Sequence, residues 1–179
     1  APQPTMKNFL DKIFFRSNNL DSLSQKIMDL SDKTPAHKIF EAINLYTTES
    51  EIRYVGGCVR KALSGDKNMA YIRYLVEMRL EVSKNKDIDK VYNYANEASK
   101  LEPNSEQVIK ILFYSAIKLN KIQEALEVSK NPIIVNNFGE KKFKKILSDL
   151  YYLDGLNKLK NNKKAAEIAF SKSVEHFSG

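Results

Sequence analysis

A repeated spacing of apolar residues over residues 72–130 limits the possible folds more than any other feature of the sequence. Two helix–turn–helix patterns follow one another there, with corresponding positions about 34 residues apart. The matched positions are Leu75 and Ile109, Met78 and Leu112, Val82 and Ala116, Val91 and Ala125, and Ala95 and Ser129. A single helical hairpin cannot bury its apolar face alone, so hairpins of this kind stack into a continuous core. We therefore predict an all-α fold, a right-handed stack of antiparallel helical hairpins with about eight to ten helices.

Composition agrees with a folded helical chain. Of the 179 residues, 42% are hydrophobic and 28% are charged, and six glycines and five prolines are too few for a fold rich in sheet turns. No apolar run reaches the length that crosses a bilayer. The single cysteine, Cys58, cannot form an internal disulfide, so no oxidising compartment is indicated and a cytoplasmic location is favoured.

The chain divides into an N-terminal part, residues 1–33, and a helical-repeat domain, residues 34–179. Residues 1–5 are expected to be disordered. Either they are foreign residues ahead of a natural start at Met6, or Ala1 follows a signal that has been removed. Short helices are predicted at 6–16 and 20–30, and we expect their apolar faces to pack on the repeats rather than lie on a membrane. Thr34 and Pro35 predict the start of the next helix, and residues 34–63 are a possible further pair of helices.

The C-terminal third departs from the common spacing. Residues 131–138 are an insertion of about seven residues with four apolar side chains, at Ile133, Ile134, Val135 and Phe138. We expect an apolar loop tucked against the helices. A final hairpin follows at 147–173, and the lysines and glutamates of residues 163–175 predict a capping helix with a polar outer face.

Residues 72–103, 106–130 and 147–173 resemble divergent tetratricopeptide repeats. The matching positions are Ala98 and Pro103, then Ala125, then Ala166 with Phe170. Where that family has glycine in the first helix, this chain has Arg79, Phe113 or Asp154, and leucine or isoleucine replaces its tryptophan. The resemblance implies a non-catalytic scaffold for protein–protein interaction, which binds a peptide or helix of a partner in a concave groove.

The resemblance also implies which residues line that groove, through the first helix of each hairpin. The positions carried over are Arg73, Val76, Leu80, Lys110, Tyr114, Ile117, Tyr151 and Lys158. Packing between helices is the competing role for each. Some members bind a chaperone's terminal carboxylate with a lysine and an asparagine one helical turn later. This clamp is absent here, because the corresponding pairs are Val76 with Leu80 and Lys110 with Tyr114. No catalytic residue, metal site or cofactor is expected, and the identity of the protein partner stays open.

An alternative function follows from the net charge of +7, which is concentrated in two lysine clusters. These are Lys141, Lys142, Lys144 and Lys145, and Lys158, Lys160, Lys163 and Lys164. Such clusters could attract RNA or an anionic surface. Solvated helix faces are the simpler interpretation, and lysine lacks the fork with which arginine binds phosphate.

A less favoured alternative is enzymatic. Residues 53–60, Arg-Tyr-Val-Gly-Gly-Cys-Val-Arg, are similar to the strand–turn–helix motif of CCA-adding tRNA nucleotidyltransferases. There a Gly-Gly turn lets backbone N–H groups approach phosphates. Asp87 and Asp89 would then have to hold the metal ions. The simpler interpretation is a helix whose small residues, Gly56 and Gly57, let a second helix approach closely.

Overall fold

All regular elements among residues 35–44 and 46–177, which the computed structural model of the protein describes, are helical. The nine α-helices of this part are α1 (Pro35–Asn44), α2 (Glu49–Ala62), α3 (Asp66–Leu80), α4 (Ile88–Leu101), α5 (Glu106–Lys118), α6 (Ile122–Ser129), α7 (Pro132–Phe138), α8 (Glu140–Lys158) and α9 (Lys163–His176). The all-α prediction is confirmed for these residues. The helices predicted at 6–16 and 20–30, and the Thr34 cap, lie outside them. No described helix combines the length and the apolar character that a membrane span requires.

The described part of the chain forms two compact units, which divide between residues 107 and 108. In the first, α3 is the central helix, because α1, α2 and α4 all pack against it. Thr48 caps the start of helix α2: its Oγ1 accepts a hydrogen bond from the Glu51 amide at 3.4 Å, and its hydroxyl donates to the Glu51 carboxylate. Cys58 of α2 is fully buried, which raises the pKa of its thiol to about 12.

A glycine sets the distance between α2 and α3. A Cβ atom added at Gly56 would lie 2.8 Å from Cγ2 of Val76, closer than two carbon atoms pack. The predicted role of a small residue in a close helix approach is therefore confirmed at Gly56.

Helix α3 continues into a π-helical turn, Glu81–Asn85. The Lys86 amide donates to the Glu81 carbonyl at 2.6 Å, and Lys86 itself has a left-handed backbone with φ of 52°. Asp87 then caps α4, its carboxylate accepting from the Lys90 amide at 3.3 Å. The turn ends α3 and reverses the direction of the chain, so that α4 packs against α3.

The second unit is built around α8, which packs against α6, α7 and α9. The α8–α9 pair is held by two reciprocal bonds: Ser148 Oγ donates to the Ser173 carbonyl at 2.8 Å, and Ser173 Oγ donates to the Ser148 carbonyl at 2.7 Å. The ring of Phe170 lies directly on Gly155. Gly155, one position after Asp154, is thus the small residue of this helix pair.

The predicted loop at 131–138 is wrong, because these residues form helix α7. Asn131 caps the helix, its side chain accepting from the Ile133 amide at 3.0 Å, and Pro132 follows at the first helical position, where its missing N–H costs nothing. The predicted tucking is confirmed for Ile134, which is fully buried. The Phe138 ring also lies near those of Phe113 and Tyr114, with centroids 6.3 and 6.2 Å away.

The polar outer face predicted for the last hairpin is only partly present. Besides its charged residues, α9 exposes Ile168 and Val174, and Phe177 follows it, 64% exposed. Helix α8 adds exposed apolar side chains at Tyr152, Leu153 and Leu156, and Leu159 follows directly after the helix. Apolar residues between the charged positions of residues 163–175, and those on α8, make this surface partly apolar.

Candidate functional site

A cleft of about 620 Å³ lies in the second unit, lined by side chains of α6, α7, α8 and α9. Three helices each contribute a row of polar residues at helical spacing, which places each row on one face of its helix. The rows are Gln123 and Glu127 on α6 with Lys130 just after it, Tyr151, Asp154 and Lys158 on α8, and Lys172 and His176 on α9.

Asp154 is the anchor of the polar side. Its side chain is 5% exposed, and both carboxylate oxygens are used. Oδ1 accepts from Nε2 of Gln123 at 3.1 Å, and Oδ2 pairs with Nζ of Lys158 at 2.8 Å. A buried carboxylate needs such charge-assisted bonds to offset its desolvation. Asp154 therefore connects α6 to α8 and fixes the position of the Lys158 ammonium.

The aromatic ring of Tyr151 supports two groups of α9. His176 stacks on it with ring centroids 5.4 Å apart and planes 9° apart. Nζ of Lys172 lies 5.6 Å from the centroid of the same ring, within the range of a cation–π interaction. The Tyr151 ring thus positions both a cation and an imidazole at the edge of the cleft.

The cleft also has an apolar lining, its apolar wall. Leu126 of α6, Val135 of α7, and Phe143 and Leu147 of α8 line it, all of them half-buried. Half-buried apolar side chains still expose surface that a ligand could cover. Covering it would favour binding by roughly 25 cal/mol for each Å² removed from water. The cleft can hold an apolar group beside a polar one.

The structure places the predicted groove residues of α3 in two environments. Arg73 is exposed and lies over the ring of Tyr74, 5.0 Å from its centroid. Val76 and Leu80 are each only 6% exposed, so they take part in helix packing and do not form a surface for a partner. The physical reason is that α3 packs against three helices of its unit, which covers positions that a helix at the side of a hairpin would expose.

The predicted residues of the second unit separate into two groups. Tyr151 and Lys158 both line the cleft, so the structure brings them together. Lys110, Tyr114 and Ile117 lie on α5 and are not among the cleft residues; Tyr114 is 50% exposed, and the other two are half-buried.

Sequence reasoning missed Gln123, Asp154, Lys172 and His176. The four-residue spacing of Lys172 and His176 is a visible signal for a shared helix face. Asp154 stands where the tetratricopeptide pattern has a glycine, a position that predicts helix packing.

The nucleotidyltransferase-like stretch has a different local structure from the motif it resembles. Residues 53–60 lie inside α2, so Gly56 and Gly57 form no turn there. Arg53 pairs with Glu49 at 3.1 Å and Glu77 at 3.4 Å. Asp87 caps α4, and within the described part of the chain no group of three or more Asp, Glu, His or Cys side chains could hold a metal ion.

Comparison of the chain with protein-family models, with curated proteins and with solved structures gives no match. A functional proposal therefore depends on the geometry of the cleft and on the sequence pattern.

Proposed function

We propose that the protein is a non-catalytic docking module that binds a segment of a partner protein in the cleft of the second unit. The observation that carries this proposal is the pairing of an apolar wall with a fixed polar edge in one cavity of about 620 Å³, a size usual for ligand sites. The spacing of about 34 residues supports the further proposal that the hairpins belong to a tetratricopeptide-like right-handed stack, a family in which such scaffolds bind peptides or helices.

The bonding of the polar groups favours docking over chemistry. Both oxygens of Asp154 already accept bonds from Gln123 and Lys158, so this carboxylate is used for structure. A general base must instead be able to reach a proton of the substrate. The same bonds hold the cleft in shape before a ligand arrives, which lowers the entropic cost of binding.

Two neighbouring tyrosines allow a matched test of this proposal. Tyr151 lines the cleft, whereas Tyr152 lies outside it and is 52% exposed. Partners captured from the native source by the full chain are compared for Tyr151→Ala and Tyr152→Ala, with circular dichroism to verify folding. We expect one partner to be lost with Tyr151→Ala and kept with Tyr152→Ala. A partner kept by both variants would refute the cleft as the docking site.

The α5 surface predicted from the sequence is tested in the same capture experiment. Lys110→Glu and Tyr114→Ala change that surface and leave the cleft residues intact. We expect both variants to keep the partner. Loss with these variants and retention with Tyr151→Ala would place docking on α5.

A second candidate function is binding of RNA or an anionic surface. The first turns of α8 expose Lys141, Lys142, Lys144 and Lys145, and a second cavity, of about 460 Å³, lies between three of them and Phe138. Binding through these charges should weaken steeply with added salt. The test titrates single-stranded RNA and anionic vesicles against the wild type and a variant with all four lysines changed to glutamine. Equal binding by both proteins would reject this function.

A further inference from the structure

We propose that the cleft selects an acidic segment, one in which a carboxylate side chain stands next to an apolar one. This inference rests on the proposed docking function and specifies the chemistry of the partner. It follows from the distribution of charge in the cleft, from the position of one lysine and from the apolar wall of the same cavity.

The charges that line the cleft do not balance. Three lysines, Lys130, Lys158 and Lys172, face two carboxylates, Glu127 and Asp154. Two of the lysines are used internally: Lys130 pairs with Glu127 at 3.0 Å, and Lys158 with Asp154 at 2.8 Å. Lys172 has no carboxylate within 4.0 Å in the part of the chain that the structure describes. A ligand carboxylate would complete this arrangement.

The surroundings of Lys172 suit an incoming anion. Its ammonium lies over the Tyr151 ring, 5.6 Å from the centroid, so its position is restricted before a ligand binds. An ammonium on an aromatic face keeps N–H groups that point away from the ring and can donate to a carboxylate. A lysine or arginine in the same place would be repelled by Lys172, because the other two lysines of the cleft are paired with carboxylates. The cleft therefore discriminates by charge sign.

The apolar wall defines the second requirement. Leu126, Val135 and Leu147 line the same cavity as Lys172, so one ligand segment can reach both. A purely acidic segment would leave this wall in water, and a purely apolar one would leave Lys172 without a counter-ion. A segment with both kinds of side chain is bound by the apolar wall and recognised by charge.

The experiment selects random displayed peptides on the immobilised full chain and discards those that also bind Tyr151→Ala. The remaining peptides are sequenced, and one is synthesised with a fluorescent label, together with a form in which Asp and Glu are replaced by Asn and Gln. We expect enrichment of acidic and apolar residues together, and binding about tenfold weaker for the neutral form by fluorescence anisotropy.

Charge variants on one helix provide the matched control. Lys172→Glu places a negative charge in the cleft, whereas Lys164→Glu makes the same change on an exposed part of α9 outside it. We expect Lys172→Glu to weaken the acidic peptide by tenfold or more and Lys164→Glu to change it by less than about twofold, because screening reduces the effect of a distant surface charge. Equal effects of the two variants would overturn the inference.

The outcomes separate this inference from the docking function itself. Peptides that depend on Tyr151 but are neutral or basic would overturn the acidic preference and leave docking intact. The absence of any peptide dependent on Tyr151 would overturn both. Single-stranded RNA that binds with the same dependence on Lys172, while no peptide does, would overturn both as well and favour the nucleic-acid alternative.

Discussion

The contact between Gly155 and Phe170 predicts that alanine at position 155 destabilises the protein. Alanine is the better helix former by about 1 kcal/mol, so the change should be stabilising if there were space. However, a Cβ atom there would lie 2.9 Å or less from three atoms of the Phe170 ring. Gly155 has no positive φ and lies well inside α8, so helix propensity and this contact together decide the effect of Gly155→Ala.

The expected destabilisation follows from the contacts that the Phe170 ring would lose if it turned away from position 155. Phe170 is half-buried and forms an aromatic pair with Tyr152, with centroids 5.7 Å apart. Such a pair contributes about 0.5–1.5 kcal/mol, and exposing about half of a phenylalanine costs roughly a further 1 kcal/mol. After the gain in helix propensity is subtracted, Gly155→Ala should lower the free energy of unfolding by about 1 kcal/mol.

A double-mutant cycle gives the decisive measurement. In a Phe170→Ala background the obstruction is gone, so Gly155→Ala should raise the free energy of unfolding by about 1 kcal/mol. Urea unfolding followed by circular dichroism measures all four proteins, and hydrogen exchange assigns the changes to α8 and α9. If Gly155→Ala stabilises the wild type as much as the Phe170→Ala variant, the close approach does not exist.

Three further predictions concern single side chains. Ser148→Ala removes the bond to the Ser173 carbonyl and should cost about 1 kcal/mol in urea unfolding; no change would contradict the reciprocal bonds. Asp154→Ala leaves the Lys158 ammonium, one-third exposed, without its carboxylate and should cost about 1–3 kcal/mol, partly restored by adding Lys158→Met; an additive double variant would contradict the pairing. Cys58, whose pKa is raised to about 12, should resist iodoacetamide in the folded protein and react in denaturant. Rapid labelling of the native protein would contradict this burial. The folded protein favours the protonated thiol, so the stability that Cys58 contributes should be lost as the pH rises from 9.0 toward 12.

The spacing of apolar residues along the chain predicted part of the helical structure. The apolar spacing over residues 72–130 predicted α3 and α5. Two of the cleft residues, Tyr151 and Lys158, could also be predicted, because they share a helix face with the expected groove.

The features that the sequence did not predict depend mainly on contacts between residues far apart in the chain. Val76 is buried because α3 has helices on several sides, which its own periodicity does not reveal. The partner of Asp154 is Gln123, 31 residues earlier, and no periodic pattern specifies that pair. The sequence pattern predicts a loop in place of helix α7 because an insertion interrupts the repeat there, although Asn131 and Pro132 carry a helix start signal.

The π-helical turn after α3 makes the chain tolerant of a change in length. Since the Lys86 amide bonds to a carbonyl five residues back, the turn holds one residue more than an α-helical turn. Removal of Val82, whose side chain is 45% exposed, would let ordinary α-helical hydrogen bonding span the same gap without disturbing α4. Among relatives of this protein, one-residue deletions should therefore fall in this turn and be accompanied by no other rearrangement.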